Sequence, residues 1–188
     1  ISTPTVPTGP IWVSLIHEVQ VIFDRFVCCP DCGKMQLMTF PRIKWPEGER
    51  DAELVLAQDL AWYECLHCGS HWNDHKRNAA VRWGKWMARP RTEDGRQREE
   101  PIQEATEELF QYLRKYKPLK IGFHVPSWIS RWVGLSEVAS AFLKSKGDRI
   151  ALMNWKNKHE AVPWKDYTVE RKEDRILRLR DDRPFGVV

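Results

Sequence analysis

No run of about eighteen apolar residues occurs in this 188-residue chain, so no segment reads as a membrane-spanning helix. No basic stretch precedes an apolar core near the start, and no signal peptide is visible. The chain also lacks a Gly-x-x-x-x-Gly-Lys-Ser/Thr phosphate loop and a glycine-rich dinucleotide turn. No serine, histidine and acid stand together as a nucleophilic triad. The acidic pair Asp181–Asp182 lies among Arg178, Arg180 and Arg183, and reads as solvated linker, not as a metal site. On its own residues the chain is not expected to be a complete enzyme. An initiating methionine is missing too: the first residue is Ile1, within what reads as a strand-to-turn transition, and a piece of a longer protein is expected.

Hydrophobic residues make up 42% and charged residues 30%, the balance of a folded soluble protein, with room for one ordinary domain or two small ones. Ten tryptophans supply large rings that anchor a core and still want a partner for each N–H. The formal net charge is +4. A charge of this size argues weakly for nucleic acid, and such an argument must rest on local clusters.

The chemistry is concentrated in cysteines. Cys29-Pro30-Asp31-Cys32-Gly33 and Cys65-Leu66-His67-Cys68-Gly69 repeat one pattern, two cysteines separated by two residues and followed by glycine. Such a turn aims both sulfurs at one point, and glycine supplies the positive φ that the turn requires. Two turns facing each other make a tetrahedral four-sulfur site, so Cys29, Cys32, Cys65 and Cys68 are the predicted metal ligands. The separation of the pairs exceeds the roughly 15–20 residues of a compact module, and residues 41–59 read as a polar insertion at a hairpin tip. Disulfides fit poorly with an intracellular chain. Cys28 precedes the first pair directly, and strand alternation turns it away from the site. His67, His71 and His75 lie nearby, but four thiolates already close a zinc shell, which leaves the histidines surface or supporting roles. Iron would also fit four sulfurs; zinc is preferred because nothing else suggests electron transfer.

Around this module the pattern predicts a helix over residues 10–20, a strand over 21–28, and strands over 35–40 and 61–63. A helix over 73–82 is capped by Asn73 or Asp74 and ends near Gly84. Residues 89–100 read as a charged linker. A helix over 101–116 starts at Pro101, and a short strand covers 119–125. Ser136 is expected to cap an amphipathic helix ending at Gly147, followed by a helix over 148–158. Residues 169–188 read as charged and extended. The fold class is therefore α+β, a small zinc-ribbon β module flanked by short amphipathic helices and extended linkers. Lys76, Arg77, Arg82, Lys85, Arg89 and Arg91 form a basic run holding Trp83 and Trp86, a candidate phosphate contact; Glu93, Asp94, Glu99 and Glu100 stand against it.

The order of segments resembles the central part of the large terminase subunit of the lambda type (the GpA family), the motor of phage DNA packaging. Ile1-Ser2-Thr3-Pro4-Thr5 looks like the family's coupling motif. Residues 26–33 with Gln36, and 63–69, are similar to its two cysteine turns. Gly84-Lys85-Trp86, Ile121-Gly122-Phe123-His124-Val125, Phe142-Leu143-Lys144, Asn157 and Pro163-Trp164 follow in order. Cys28 and the stretch around residues 101–116 depart from the pattern. The resemblance implies a parent with an ATPase that pumps DNA and a metal-dependent nuclease that cuts it. ATP and magnesium would belong to those other domains. Residues 1–20 would end the ATPase core, with Ser2 and Thr3 coupling nucleotide state to DNA movement. Residues 21–88 would be the ribbon, 89–165 a charged linker and helical segment, and 166–188 a linker towards the nuclease. Double-stranded DNA, a small subunit and the procapsid portal would be partners, in the host cytoplasm and without a membrane. A free-standing zinc-ribbon module of transcription or DNA maintenance is the alternative.

Overall fold

A computed structural model describes residues 3–165. The chain enters through α1 (Pro10–Val13), continued by a π-helical turn over Ser14–Glu18, and then β1 (Val21–Cys28). Next come β2 (Met35–Leu37), β3 (Ile43–Lys44), α2 (Ala52–Ala57), β4 (Trp62–Glu64) and β5 (His71–Trp72). The second half holds α3 (Asp74–Trp83), β6 (Lys85–Ala88), α4 (Leu109–Tyr116), β7 (Ile121–His124), α5 (Leu135–Ser145) and α6 (Arg149–Trp155). Among the described residues it is a mixed α and β architecture of short helices and two small sheets.

β1 is buried along nearly its whole length, as its β-branched and aromatic run requires of a strand covered on both faces, with Ile22 packed on Trp12 and Ile16 and Phe23 on Leu109 and Tyr112. β6 pairs antiparallel with it through Phe23 to Phe26. Its other edge is shared: β2 runs antiparallel beside Phe26 to Cys28, and β7 runs parallel beside Val21 to Asp24. The second sheet is β3-β4-β5, all antiparallel. One apolar core joins both, with Val27, Tyr63 and Trp72 packed in the same cluster as Leu135, Val138 and Trp155.

Four expectations are corrected. Residues 41–59 are not a polar excursion: Asp51 caps α2, accepting from the Glu53 and Leu54 N–H groups, and Val55 is fully buried. Buried Ile43 and Val55, with Trp45 and Ala52 packed beside them, bind this stretch to the core, and the six-residue α2 is too short for its spacing to stand out as a helical periodicity. The helix over 101–116 forms only from Leu109, because the preceding residues extend sheet edges. The Gln103 side chain pairs with both the N–H and the C=O of Leu37, and the Ala88 N–H donates to Glu107 O. Ser136 does not cap α5. The N-cap is Gly134, the Asp74 carboxylate accepts from the Leu135 N–H, and Ser136 Oγ accepts from the Ala61 N–H. Residues 89–100 are irregular but tied down, with the Arg89 N–H on Ile22 O and Gln97 Nε2 on Val19 O. The expectation for residues 169–188, including Asp181–Asp182, lies outside the described residues.

Candidate metal centre

Each cysteine pair occupies the tip of a hairpin, the first between β1 and β2, the second between β4 and β5. The two turns are built alike. The Cys29 N–H donates to Lys34 O and the Gly33 N–H to Cys29 O; the Cys65 N–H donates to Ser70 O and the Gly69 N–H to Cys65 O. Gly33 and Gly69 stand at φ of 70° and 69°, where a side chain would be strained. Because the hairpins come from different sheets, their tips bring one sheet against the other at the sulfurs.

All four sulfurs lie within 4.8 Å of one another, with Cys29 to Cys68 at 3.8 Å and Cys32 to Cys65 at 4.0 Å. A tetrahedral ion with metal–sulfur bonds of roughly 2.3 Å places its sulfurs about 3.8 Å apart, so the donor set fits zinc in type, number and spacing. Polar groups surround the sulfurs as well. The Cys32 N–H lies 3.4 Å from Cys29 Sγ, and the His67 N–H 3.4 Å from Cys65 Sγ. Buried Gln36 donates Nε2 to Cys65 Sγ at 3.3 Å, while its Oε1 accepts from the Leu66 N–H at 2.7 Å. Ser70 Oγ accepts the Trp72 indole N–H at 3.0 Å, which leaves its own hydrogen for Cys68 Sγ at 3.3 Å or Cys29 Sγ at 3.7 Å.

Without a cation the four thiols conflict. Hydrogen bonds from the Ser70 hydroxyl and backbone N–H hold Cys68 down to about 6. The Lys34 N–H favours the Cys32 thiolate, yet desolvation and three sulfur neighbours push Cys32 up to about 12. A divalent ion removes the conflict by stabilising all four as thiolates. Cys28 is outside the cluster, its sulfur 3.4 Å from Gly33 O. His67 contacts Met35 O, His71 stacks on Trp62, and His75 is exposed; none reaches the sulfurs. Ser70 is the supporting residue that spacing rules do not reveal.

Two comparisons bear on this geometry. The family described as phage terminase large subunit gpA, ATPase domain, matches residues 1–86, and terminase large subunit gpA, endonuclease domain, matches residues 120–188. The chain belongs to the GpA family of phage terminase large subunits. Searches of curated proteins and of solved structures found no match. In this terminase chain both cysteine turns fall within the ATPase-domain match, and β7, α5 and α6 within the nuclease-domain match. Among the described residues no helix is long and apolar enough to cross a membrane.

The basic run divides sharply in the terminase fold. Lys76, Arg82, Lys85 and Arg91 are exposed, Lys76 beside Asp31 at 3.2 Å and Arg91 donating to the carbonyls of Gly95 and Gln20. Arg77 and Arg89 are corrections: both are buried and spend their donors internally, so neither faces a phosphate. Arg77 lies on the inner side of α3 with Ala80, and donates to Asp74, Asn78 and the carbonyls of Trp128 and Val133. Arg89 forks onto Asp24 with bonds of 2.7 and 2.8 Å, and also donates to the carbonyls of Arg98 and Glu99. Burial alone would raise the Asp24 carboxyl, but the Arg89 hydrogen bonds, then His124, hold it below the ordinary range. Thr3 is exposed, and Ser2 lies outside the described residues. A cavity of about 620 Å³, lined by Asp24, Phe40, His124, Trp128 and Trp164 among others, has no cysteine in its wall.

Proposed function

We propose that the chain is a zinc-ribbon joint of a DNA-packaging terminase large subunit, holding one structural zinc ion on Cys29, Cys32, Cys65 and Cys68. The observation that carries this reading is the convergence of four sulfurs from hairpin tips of two different sheets. Four thiolates leave no open position, which marks a structural ion rather than one that activates water. In the whole subunit, ATP-driven DNA translocation and cutting would use ATP and magnesium in the ATPase and nuclease domains, whose family models match residues 1–86 and 120–188 of this chain, with double-stranded DNA, a small subunit and the portal as partners. Ser2 and Thr3 would relay nucleotide state. A free-standing ribbon module would not account for family matches on both sides of residues 87–119. Metal analysis of the purified chain should give one zinc per chain and a colourless protein. Visible absorption with iron in stoichiometric amount would replace the zinc reading.

The exposed basic residues offer the chain's own route to DNA. Fluorescence anisotropy with a short duplex should show binding that weakens steeply with salt. Lys85→Ala or Arg82→Ala should each lower the slope of log K against log salt by about 0.9 if one phosphate contact is lost. Absence of binding even at low salt would end this part of the proposal.

A further inference from the structure

The ATPase-domain match ends at residue 86 and the nuclease-domain match begins at residue 120. Two enzymes joined by a free hinge would share little buried structure at such a join. Here the two matched regions share a sheet. β1, from the first match, pairs in parallel with β7, from the second, in the register Val21↔Ile121 through Asp24↔His124. β6, where the first match ends, takes the opposite edge of β1. Phe123 of β7 packs its ring 5.7 Å from Phe23 and 5.0 Å from Trp86, both in the first match. Gly122 lets the helical turn near the chain start press on β7, since a Cβ there would run into Leu15 and crowd Val19.

Under this sheet one buried carboxylate gathers all three stretches. Asp24 is 2% exposed. Arg89, from the intervening stretch, forks onto it, and His124 Nδ1, from the nuclease match, lies 3.3 Å from Asp24 Oδ1. His124 Nε2 is in turn 2.9 Å from Glu160 O, and Arg89 reaches the carbonyls of Arg98 and Glu99. A buried ion pair such as Asp24–Arg89, with an imidazole against it, tolerates no sliding. A one-residue slip of β7 would carry His124 to the opposite face and leave Asp24 short of a neighbour.

We propose that β1, β6 and β7, locked by the Asp24–Arg89 pair with His124 packed against it, form a rigid coupler that makes the ATPase-matching and nuclease-matching regions one cooperative unit at this point. Motion of one region is then carried into the other as displacement of a shared sheet instead of being absorbed by a hinge. The coupler does not depend on the metal reading, because none of these three residues touches a cysteine sulfur.

The test is hydrogen exchange on the intact, metal-loaded chain, read for peptides spanning residues 21–24 and 121–124. In the wild type both should exchange at the same rate. Asp24→Asn should speed both together, by roughly tenfold or more, while the Cys65 to Gly69 turn keeps its protection and metal content is unchanged. Exchange at 121–124 more than about tenfold faster than at 21–24 in the wild type would overturn the coupler, as would a variant effect confined to β1. A second arm does not rely on the variant folding. A protease site placed in the exposed turn at Asp94 and Gly95 allows the wild-type chain to be nicked. The halves should co-elute on gel filtration with exchange at 21–24 still protected; separation of the halves, or loss of that protection, counts against the coupler.

Discussion

Replacing Cys65 with serine is expected to abolish stoichiometric zinc binding and to unfold at least residues 25–75. Structural zinc contributes an apparent ~10–16 kcal/mol in finger peptides that have almost no other core. This chain does have another core, so part of the second half should survive, but the damage should spread beyond the ribbon. Tyr63 and Trp72, both fully buried, pack in the same cluster as Leu135, Val138 and Trp155 on the helices behind. Loss of the second hairpin therefore uncovers the inner face of α5, and Trp72, Trp128 and Trp155 should shift their emission to the red together. Three companion variants separate the ligand role from general damage. Cys68 is the exposed member, so Cys68→Ser leaves three thiolates with room for a water in the fourth position, and should weaken zinc binding rather than remove it. Cys28→Ser should change neither metal content nor melting, because its sulfur faces Gly33 O. Gln36→Ala should cost metal affinity by about 10–100-fold while keeping the stoichiometry, the usual effect of removing a donor behind a ligand. Zinc content and melting of Cys65→Ser equal to wild type would refute the site.

How much of this was legible in the sequence follows from how local each determinant is. The cysteine turns were readable because two sulfurs, the intervening pair and a glycine at positive φ lie within five residues of one another. The helix over residues 73–82 was readable for the same reason, with Asn73 accepting from the Lys76 N–H at its start and Gly84 just past its end. What failed was non-local. β7 contains a glycine and only four residues, and nothing in it shows that its partner is a strand one hundred residues earlier, in parallel. Gln103 gave no sign that its amide would stand in for a strand beside Leu37 and keep residues 101–108 out of a helix. Ser136 has the chemistry of a cap, but Asp74, distant in sequence, already held the first free N–H of α5. Arg89 opened what reads as a charged linker and could as well have pointed outward; only the placement of Asp24 decided it. Arg77 alone left a usable signal, since it is three residues from Ala80 and three from Asp74 on one face of a helix.

That signal leads to the second large effect. Arg77→Ala is expected to destabilise the fold by about 3–5 kcal/mol, the range for removing one partner of a buried charge set. For a chain of this size that is a fall in melting temperature on the order of 10 °C. The guanidinium is fully buried and makes four kinds of bond: to the Asp74 carboxylate at 2.7 Å, to Val133 O at 2.8 Å, to Asn78 Oδ1 at 3.0 Å, and to Trp128 O. Truncation strands two backbone carbonyls and leaves Asp74 held only by the Leu135 N–H. Burial lowers the Arg77 pKa and Asp74 works against that. Yet charge is the lesser part, since the side chain ties α3 to the loop before α5 by geometry. Arg77→Lys should accordingly rescue little, because an ammonium on a single stem cannot serve Asp74 and two diverging carbonyls at once. Exposed Arg82 and Lys85 give the contrast: alanine at either should move stability by no more than about 0.5 kcal/mol. In the duplex titration the order should reverse, with Lys85→Ala and Arg82→Ala lowering the salt slope and Arg77→Ala, measured below its melting point, leaving it unchanged. A slope that falls with Arg77→Ala while melting stays at the wild-type value would return this residue to the DNA-facing set and overturn its assignment as a brace of the fold.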